Sequence, residues 1–306
     1  MTDQTAPDGR AHAARRRSIG AATQLGTEVS INLGSALAGL VIPIVGAFVV
    51  VAARQLVMAA VLLPFYRPTR SGLTWRRLWP ALMLGVTLAV MNVTFYQSVH
   101  LLGLGIAATI EFLGPLSLAL ATSRRLLDVI CALAAGVGVV LLTGFDGTIN
   151  TWGVVLALTA AAAWAAYIVL TRRVATRLPG LEGLTVAGIV SLAILLPLAI
   201  LTLDASAIDW NVVALLVGVG ILSSALPYSL DTFILRRITP RLYAIITAFG
   251  PVVAALFGWL ILSERFTALE VVAIAIVCAA AGTAIATQRD RPTPASDLER
   301  VAEITP

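Results

Sequence analysis

Apolar and polar stretches alternate along the whole chain. Ten apolar stretches are long enough to cross a bilayer, at residues 19–42, 46–65, 78–98, 103–122, 127–144, 152–171, 183–203, 211–235, 241–262 and 268–287. A transmembrane helix needs about 20 such residues. The stretches lack the period-two alternation that the strands of a membrane barrel require. Because only helices and closed barrels satisfy their backbone groups in lipid, the pattern predicts an all-α membrane protein with ten transmembrane helices.

Composition and the placement of charge support this setting and predict an orientation. The chain is 59% hydrophobic and 12% charged, whereas soluble domains carry about 25% charged residues. All 21 basic residues are arginine, and most lie in the two tails and in alternate loops, near residues 67–77, 124–125, 172–177 and 236–241. Because cytoplasmic loops carry the excess of basic residues, both termini are predicted to face the cytoplasm. The net charge of +5 is therefore a topology signal, not a nucleic-acid-binding surface.

The two halves of the chain resemble each other. The fourth stretch contains EFLGPLSLAL and the ninth contains TAFGPVVAAL, which aligns Gly114-Pro115 with Gly250-Pro251. Arginines follow the first of these segments, in SRR, but precede the second, in LRRITPR. Ala- and Leu-rich helices can resemble each other by chance, but the reversal of charge is independent of that similarity. We therefore predict two inverted five-helix repeats, at residues 18–144 and 152–288.

These repeats favour a transport function and set the remaining boundaries. Inverted repeats are typical of secondary transporters, in which the substrate binds near the midplane beside interrupted helices. Pro115 cannot donate the usual hydrogen bond to the carbonyl group of residue 111, so we expect helix breaks or hinges at both Gly-Pro pairs. The tails at residues 1–17 and 289–306 are polar and rich in Pro and Ala, which predicts disordered cytoplasmic segments.

Four charged side chains lie well inside the predicted spans, where a charge costs about 2.5–3.5 kcal/mol: Glu28, Arg54, Glu111 and Asp231. Glu111 is near the middle of its span, and no residue close to it in sequence offers a countercharge. It is a candidate proton carrier or ammonium ligand, and the alternative is a protonated structural glutamate bonded to a neighbouring helix. Arg54 has two structural alternatives, extension of its side chain to the membrane interface or pairing with a helix end, and Asp231 has one in an interfacial ion pair with Arg236.

A second set of candidates consists of polar and aromatic side chains on shared helical faces. Residues three or four apart on a helix lie on one face. Glu28 and Asn32 form such a pair, so we expect a polar stripe that lines a cavity. The other candidates for substrate contact are Asn92 with Tyr96, Trp164 with Tyr167, and Tyr228, which follows Ser224. An aromatic residue near a helix end would instead belong to the interfacial belt of the membrane.

Several of these motifs carry a family likeness. The chain contains MNVTFYQSVHLLGLGIAATIEFLGPLSLALATSRR, AAAWAAYIVLTRR and ALPYSLDTFILRRITPRLYAIITAFGPVVAAL. Across residues 20–288 it resembles the drug/metabolite transporter superfamily, EamA type, and is most similar to the bacterial threonine and homoserine exporters of that superfamily. The specific parts of the likeness are EFLGP, the SRR turn and ALPYSL, whereas WAAY is shared more widely.

The resemblance implies a ten-helix inverted-repeat fold, alternating access through a central cavity, and efflux driven by a proton gradient. The intramembrane glutamate of the family corresponds to Glu111, and its arginine in the second helix corresponds to Arg54. The acid after ALPYSL corresponds to Asp231, where the family pattern has glutamate. Glu28 has no counterpart in that pattern, so it would either select a different cargo or add a titrating group.

The function that the sequence favours is proton-coupled efflux of small amphoteric metabolites such as threonine, homoserine or other amino acids. The expected partners are that substrate, protons and the lipid of a bacterial inner membrane; a homodimer stays open. A first alternative is an exporter of another cargo, such as a nucleobase or a cationic drug. A second is an intramembrane enzyme, but the chain contains neither HExxH nor GxSxG, and no lysine for a P-loop or a retinal Schiff base. We therefore predict no enzymatic activity, no cofactor and no metal site.

Overall fold

The computed structural model describes residues 6–66, 74–121, 126–143, 150–178, 180–235, 237 and 240–287, at some of which only the backbone is described. Regular structure throughout these ranges is helical, which confirms the predicted all-α class. The helices are α1 (Ala6–Leu62), α2 (Trp75–Leu102), α3 (Leu104–Glu111), α4 (Leu113–Ala121), α5 (Leu126–Thr143), α6 (Thr151–Ala175), α7 (Glu182–Thr202), α8 (Trp210–Gly220), α9 (Leu226–Leu235), α10 (Pro240–Thr247), α11 (Gly250–Ile261) and α12 (Ala268–Thr287). A 3₁₀ turn at Ala205–Ala207 precedes α8, and a π-helical turn at Ile221–Ala225 joins α8 to α9.

The lengths and composition of these helices are those of a multi-pass membrane protein. Six helical segments are long and apolar enough to cross a membrane, at Ser18–Leu62, Trp75–Leu102, Thr151–Ala175, Glu182–Thr202, Leu242–Ile261 and Ala268–Thr287. Three shorter apolar segments accompany them, at Leu104–Leu118, Val129–Leu142 and Trp210–Ala225. The count of ten spans, their division into inverted repeats and the side of each terminus stay predictions.

The first helix is interrupted between the first two predicted spans. Gly46 has φ 80° and ψ 160°, so α1 consists of two helices, at residues 6–45 and 47–62. Glycine adopts these angles without the steric cost that a Cβ atom would bring. At its other end, α1 begins at Ala6, within the segment whose composition predicts a disordered tail. Alanine and arginine make up most of residues 10–17, and both are strong helix formers. Residues 288–306, and with them the predicted C-terminal tail, lie outside the described ranges.

Two further interruptions lie immediately before the Gly-Pro pairs. Helix α3 ends at Glu111, and α4 begins two residues later. Helix α10 ends at Thr247, and α11 begins at Gly250. Pro115 and Pro251 have no backbone N–H to donate to the carbonyl groups of residues 111 and 247. Each break therefore exposes backbone polarity beside one side chain, Glu111 in the first half of the chain and Thr247 in the second.

Glycine brings several helices into close contact. A Cβ atom at Gly114 would clash with the carbonyl oxygen of Ala161, so α4 touches the backbone of α6 there. A Cβ atom at Gly34 would clash with the hydroxyl of Ser223, so α1 lies directly against the π-helical turn. Small residues allow such approaches between membrane helices. The contacts hold α4 and the π-helical turn at fixed positions around the core.

The outer surface is apolar and carries tryptophan at helix ends. Leu133 and Trp259 are more than half exposed on the outer helix faces. Trp75, Trp152 and Trp210 are also largely exposed, and each lies at the first or second residue of its helix. Tryptophan is enriched where membrane helices meet the lipid–water interface. The exposed surface is therefore apolar with tryptophan at several helix ends, a pattern typical of multi-pass membrane proteins.

Glu264, in the loop after α11, fastens that loop to the start of α3. Its Oε1 accepts a hydrogen bond from the backbone N–H of Leu104 at 2.5 Å, and Oε2 accepts one from Gly105 at 3.3 Å. A carboxylate in this position satisfies the first amide groups of a helix and interacts favourably with its dipole. Gly103 and Gly258 leave room for it, since a Cβ atom at either would clash with the carboxylate. The contact joins the two predicted repeats at the end of α3 opposite Glu111.

Candidate functional site

A buried arginine is the centre of a polar cluster in the core. Arg54 lies on the second part of α1 and is 9% exposed. Its Nε donates a hydrogen bond to Ser224 Oγ at 2.5 Å, and Nη2 donates to the backbone carbonyl oxygen of Ser223 at 2.7 Å. Its Nη1 donates to Asn92 Oδ1 at 2.6 Å and to the Tyr96 hydroxyl at 3.2 Å. Groups from two parts of the fold, the π-helical turn and α2, therefore hold all three guanidinium nitrogens.

The π-helical turn explains how the chain builds this cluster. Turns of this kind are rare, and they recur at functional sites. At this turn the carbonyl oxygen of Leu222 accepts a hydrogen bond from Ser30 Oγ at 2.8 Å, and that of Ser223 accepts from Arg54. Asn92 is also oriented, because its Nδ2 donates to the carbonyl oxygen of Leu88 at 2.8 Å, which leaves Oδ1 for the arginine. The guanidinium is thus placed before any substrate binds.

Glu111 provides the acid of the site. It is partly buried at the last residue of α3, and its carboxyl group interacts electrostatically with Arg54. The next residue, Phe112, packs edge-on against Trp164 of α6, with ring centroids 5.9 Å apart and planes at 74°. The ring of Tyr96 lies 5.8 Å from the guanidinium carbon of Arg54. An acid at a helix break, a fixed cation and aromatic side chains therefore belong to one region of the core.

Glu28 belongs to a separate polar cluster on the first part of α1. Its Oε1 accepts hydrogen bonds from Thr247 Oγ1 at 2.8 Å and from Gln24 Nε2 at 3.1 Å. Gln24 Nε2 also lies 3.2 Å from Thr247 Oγ1, so the three side chains form a closed triangle. Asn32 is buried too, but its amide donates to the backbone carbonyl oxygen of Glu28 at 2.9 Å and not to the carboxylate. The predicted Glu28–Asn32 stripe is therefore a pair of buried residues with different partners.

Comparison with known proteins fits this arrangement. The model of the EamA-like transporter family matches residues 151–286. The threonine/homoserine exporter RhtA of Escherichia coli K12 is 34% identical over 265 residues, which are 85% of this chain and 90% of that protein. RhtA of Salmonella typhimurium LT2 is 33% identical with the same coverage. The chain belongs to the EamA-like transporter family.

A solved crystal structure shares the fold of this EamA-like transporter. The two superpose with a TM-score of 0.58 at 22% sequence identity, over 89% of this chain and 97% of the other. The family membership confirms the resemblance that EFLGP and ALPYSL indicated, and it establishes a membrane transport protein. Within the described ranges, no group of three or more His, Cys, Asp or Glu side chains could hold a metal ion.

The structure places the remaining candidate site residues of this EamA-like transporter in three different ways. Trp164 lies beside the break that follows Glu111, through its contact with Phe112. Tyr167, one turn further along α6, packs instead in a neighbouring apolar cluster that includes Leu88. Tyr228 and Asp231 lie on the backbone of α9, but their side chains lie outside the described part of the structure, as does Arg236. Their roles stay predictions.

Sequence reasoning missed three residues that the structure places in these clusters. Ser223 contributes a carbonyl oxygen, which no side-chain pattern reveals. Thr247 and Gln24 form hydrogen bonds with Glu28, and the positions of both in the sequence give an indication of this role. Gln24 lies four residues before Glu28 on the same helical face. Thr247 stands three residues before Gly250-Pro251, as Glu111 stands before Gly114-Pro115.

Proposed function

We propose that this protein is a proton-coupled exporter of small amphoteric metabolites, with threonine and homoserine as its first candidate substrates. Membership of the EamA-like transporter family supports the transport function. Relatives named threonine/homoserine exporters, which match over 85% of the chain, support the substrate class. A bacterial inner membrane is the proposed location, with ten spans arranged as two inverted repeats and both termini in the cytoplasm.

The observation that carries this proposal is the presence of a buried guanidinium, Arg54, and a carboxyl group, Glu111, near enough in the core to interact electrostatically. An amino acid presents a carboxylate and an ammonium group. A guanidinium forms strong charge-assisted hydrogen bonds with a carboxylate, and a glutamate is a fitting partner for an ammonium group. Because such charges are expensive in a membrane, they are retained where they serve transport. Arg54 would receive the substrate carboxylate, in exchange for some of its protein partners, and Glu111 would receive the ammonium group or a proton.

Competition between these two ligands of Glu111 gives a mechanism for coupling. A protonated Glu111 has no charge with which to hold an ammonium group, and an ionised Glu111 has one. Proton entry from outside would therefore release the substrate, and proton release inside would restore the site. The helix breaks after Glu111 and Thr247 are the proposed hinges, with Gly114, Pro115, Gly250 and Pro251 as the residues that change conformation.

Transport by the purified full-length protein in liposomes tests this function. With an imposed pH gradient, we expect uptake of radiolabelled threonine or homoserine to exceed uptake by protein-free liposomes. A panel that adds other amino acids, a nucleobase and a cationic drug identifies the cargo. Gradient-driven uptake of a nucleobase or drug, with none of any amino acid, would assign the other substrate class.

The role of Glu111 is tested in the same liposomes by Glu111→Gln, a substitution that keeps the shape of the side chain. We expect gradient-driven uptake to fall by more than about tenfold, because the amide neither titrates nor carries charge. Glu182→Gln, at the first residue of α7, is the matched control and should retain uptake. If Glu111→Gln supported uptake at the wild-type rate and with the wild-type pH dependence, the proposed role of Glu111 would be wrong.

A further inference from the structure

The Glu28 cluster is a second place in the core where an acid meets a broken helix. Glu28 is 7% exposed and Gln24 is fully buried. Thr247, the last residue of α10, bonds Glu28 directly and so ties α1 to the end of the broken helix. The mechanism proposed above does not use this carboxyl group. A buried acid in a membrane protein is expensive, so its retention calls for an explanation.

The cluster occupies the position in the second half of the chain that corresponds to Glu111 in the first. Thr247 is the residue aligned with Glu111, three positions before its Gly-Pro pair. Gly114 lies against α6, the first helix of the second predicted repeat. Correspondingly, a Cβ atom at Gly250 would lie 3.4 Å from Glu28 Oε2 on α1, the first helix of the first repeat. In the second half, therefore, the acid is Glu28 on α1, the helix that packs beside the Gly-Pro pair, and the broken helix itself contributes Thr247.

We propose that Glu28, held by Gln24 and Thr247, is a second proton-binding site and the counterpart of the Glu111 site. The burial of Glu28, Gln24 and Thr247 determines which kind of ligand this cluster can bind. Gln24 is fully enclosed and Glu28 almost so. A proton is bound without adding any heavy atom to such a site. The assignment to the transport cycle rests on the exporter function proposed above, but the binding of the proton does not.

The geometry accommodates both protonation states of Glu28. When Glu28 is ionised, it accepts hydrogen bonds from the Gln24 amide nitrogen and from the Thr247 hydroxyl, as the structure shows. Rotation of the Gln24 amide by 180° exchanges its oxygen and nitrogen positions. The amide oxygen would then lie 3.1 Å from Glu28 Oε1, where it accepts a hydrogen bond from the protonated acid. Gln24 Oε1 has no hydrogen-bond partner among the described residues, so the rotation breaks only the bonds that Nε2 donates to Glu28 and Thr247.

Protonation would also weaken the link between α1 and α10. Hydrogen bonds to an ionised carboxylate are about twice as strong as those between neutral groups. The Thr247–Glu28 bond loses this advantage once Glu28 is neutral, at the point where α10 breaks into α11. Thr247 and Gly250 place α10 and α11 against Glu28, and Ser30, two residues further along α1, bonds the π-helical turn that leads into α9. The titratable or charged groups on these elements are Tyr243 and, with side chains outside the described part of the structure, Tyr228, Asp231 and Arg241.

Infrared spectroscopy of the full-length protein in lipid tests this proton site without any need for transport. Protonated carboxylic acids give a C=O stretching band that ionised carboxylates lack. We expect part of the wild-type band to disappear between about pH 4 and pH 9, the range in which perturbed carboxyl groups titrate. Glu28→Gln should remove one component of this titration, and Glu111→Gln should leave that component in place.

Thr247→Val provides a second test that keeps the acid. The variant loses the hydroxyl that stabilises the ionised form, so the midpoint of the Glu28 component should move to higher pH by about one unit, a tenfold change in proton affinity. Thr185→Val is the matched control, because Thr185 is fully buried and, among the described residues, its hydroxyl bonds only the backbone of Leu181 at the start of its own helix. A titration unaltered by both Glu28→Gln and Thr247→Val would refute the second site. It would leave the proposed transport by Glu111 untouched, since uptake in liposomes measures that separately.

Discussion

At the scale of single residues, the site depends on the planar shape of Arg54. Its guanidinium places three nitrogens against four oxygen acceptors, on Ser223, Ser224, Asn92 and Tyr96. Lysine carries the same charge, but it presents one ammonium group and cannot satisfy this set. The charge of residue 54 therefore matters less to the site than the directions in which it donates hydrogen bonds.

Arg54→Lys tests this view. We expect the KM for the transported amino acid to rise by about tenfold or more, because two-point binding of the substrate carboxylate is lost. We also expect the free energy of unfolding to fall by about 1–3 kcal/mol, because buried acceptors lose their donors. Arg177→Lys is the control, since Arg177 is exposed and donates to the carbonyl oxygen of Arg76 beside the ring of Trp79. Equal KM values for wild type and Arg54→Lys, measured in liposomes, would exclude Arg54 as the carboxylate ligand.

At the residue scale, the sequence indicates properties that belong to one helix, and the functional roles of the candidate residues stay predictions. Arg54, Asn92 and Tyr96 were candidates because they are polar inside apolar stretches, and the structure places them in one cluster. The contact between Glu28 and Thr247 spans 219 positions along the chain, so it depends on which helices pack together. No local pattern contains that information. The hydrogen bond from Arg54 to the backbone carbonyl oxygen of Ser223 could not be predicted for a different reason. Every residue has a backbone carbonyl group, so the sequence does not distinguish Ser223 from its neighbours.

At the scale of helices, the break between α3 and α4 is held by a backbone contact with α6. Gly114 lies directly after the break, and the carbonyl oxygen of Ala161 occupies the space that a Cβ atom would need. Backbone atoms cannot move aside as the end of a flexible side chain can. The position of Glu111 at the end of α3 is therefore linked to the packing of α4 on α6.

Gly114→Ala should separate these two helices. We expect a loss of about 1–3 kcal/mol in the free energy of unfolding, as for other overpacked sites, together with reduced transport. Gly136→Ala on α5 is the matched control, because a Cβ atom there has no neighbour within 4 Å. That variant should be neutral or more stable by up to about 1 kcal/mol, since alanine favours helix. Thermal unfolding in detergent compares the two, and equal melting temperatures for both variants would contradict the contact.

At the scale of the whole molecule, the sequence predicts the class of architecture better than its details. The apolar stretches predicted an all-helical membrane protein, and the structure and the family both agree. The breaks followed from proline chemistry, which is local. The π-helical turn could not be predicted in this way. Its period differs from that of the helices on either side, and contacts with Ser30 and Arg54 on α1 stabilise it. Helix α1 extends into the predicted tail for another reason: tails are recognised by polarity, and an Ala- and Arg-rich segment is polar and helix-forming at once.

The predicted orientation of the whole bundle can be tested across one helix, α7. The loop before it follows Arg172, Arg173 and Arg177, whereas the loop after it carries Asp204 and Asp209. Because arginine marks the cytoplasmic side, the two loops should lie on opposite faces of the membrane. Ala175 and Ala205 are exposed positions in these two regions, and alanine is replaced by cysteine with little change in volume.

In a background with Cys131 and Cys278 replaced by alanine, Ala205→Cys should react with a membrane-impermeant maleimide on intact cells. Ala175→Cys should react only after the cells are lysed, and lysis also serves as the control that each cysteine is reactive. The opposite result, with Ala175→Cys labelled on intact cells and Ala205→Cys protected, would reverse the proposed direction of the repeats. Labelling of both on intact cells would mean that α7 does not cross the membrane. The inverted arrangement pairs Glu111 with Thr247, which bonds Glu28, so this last result would also remove the structural basis for treating the Glu111 and Glu28 sites as counterparts.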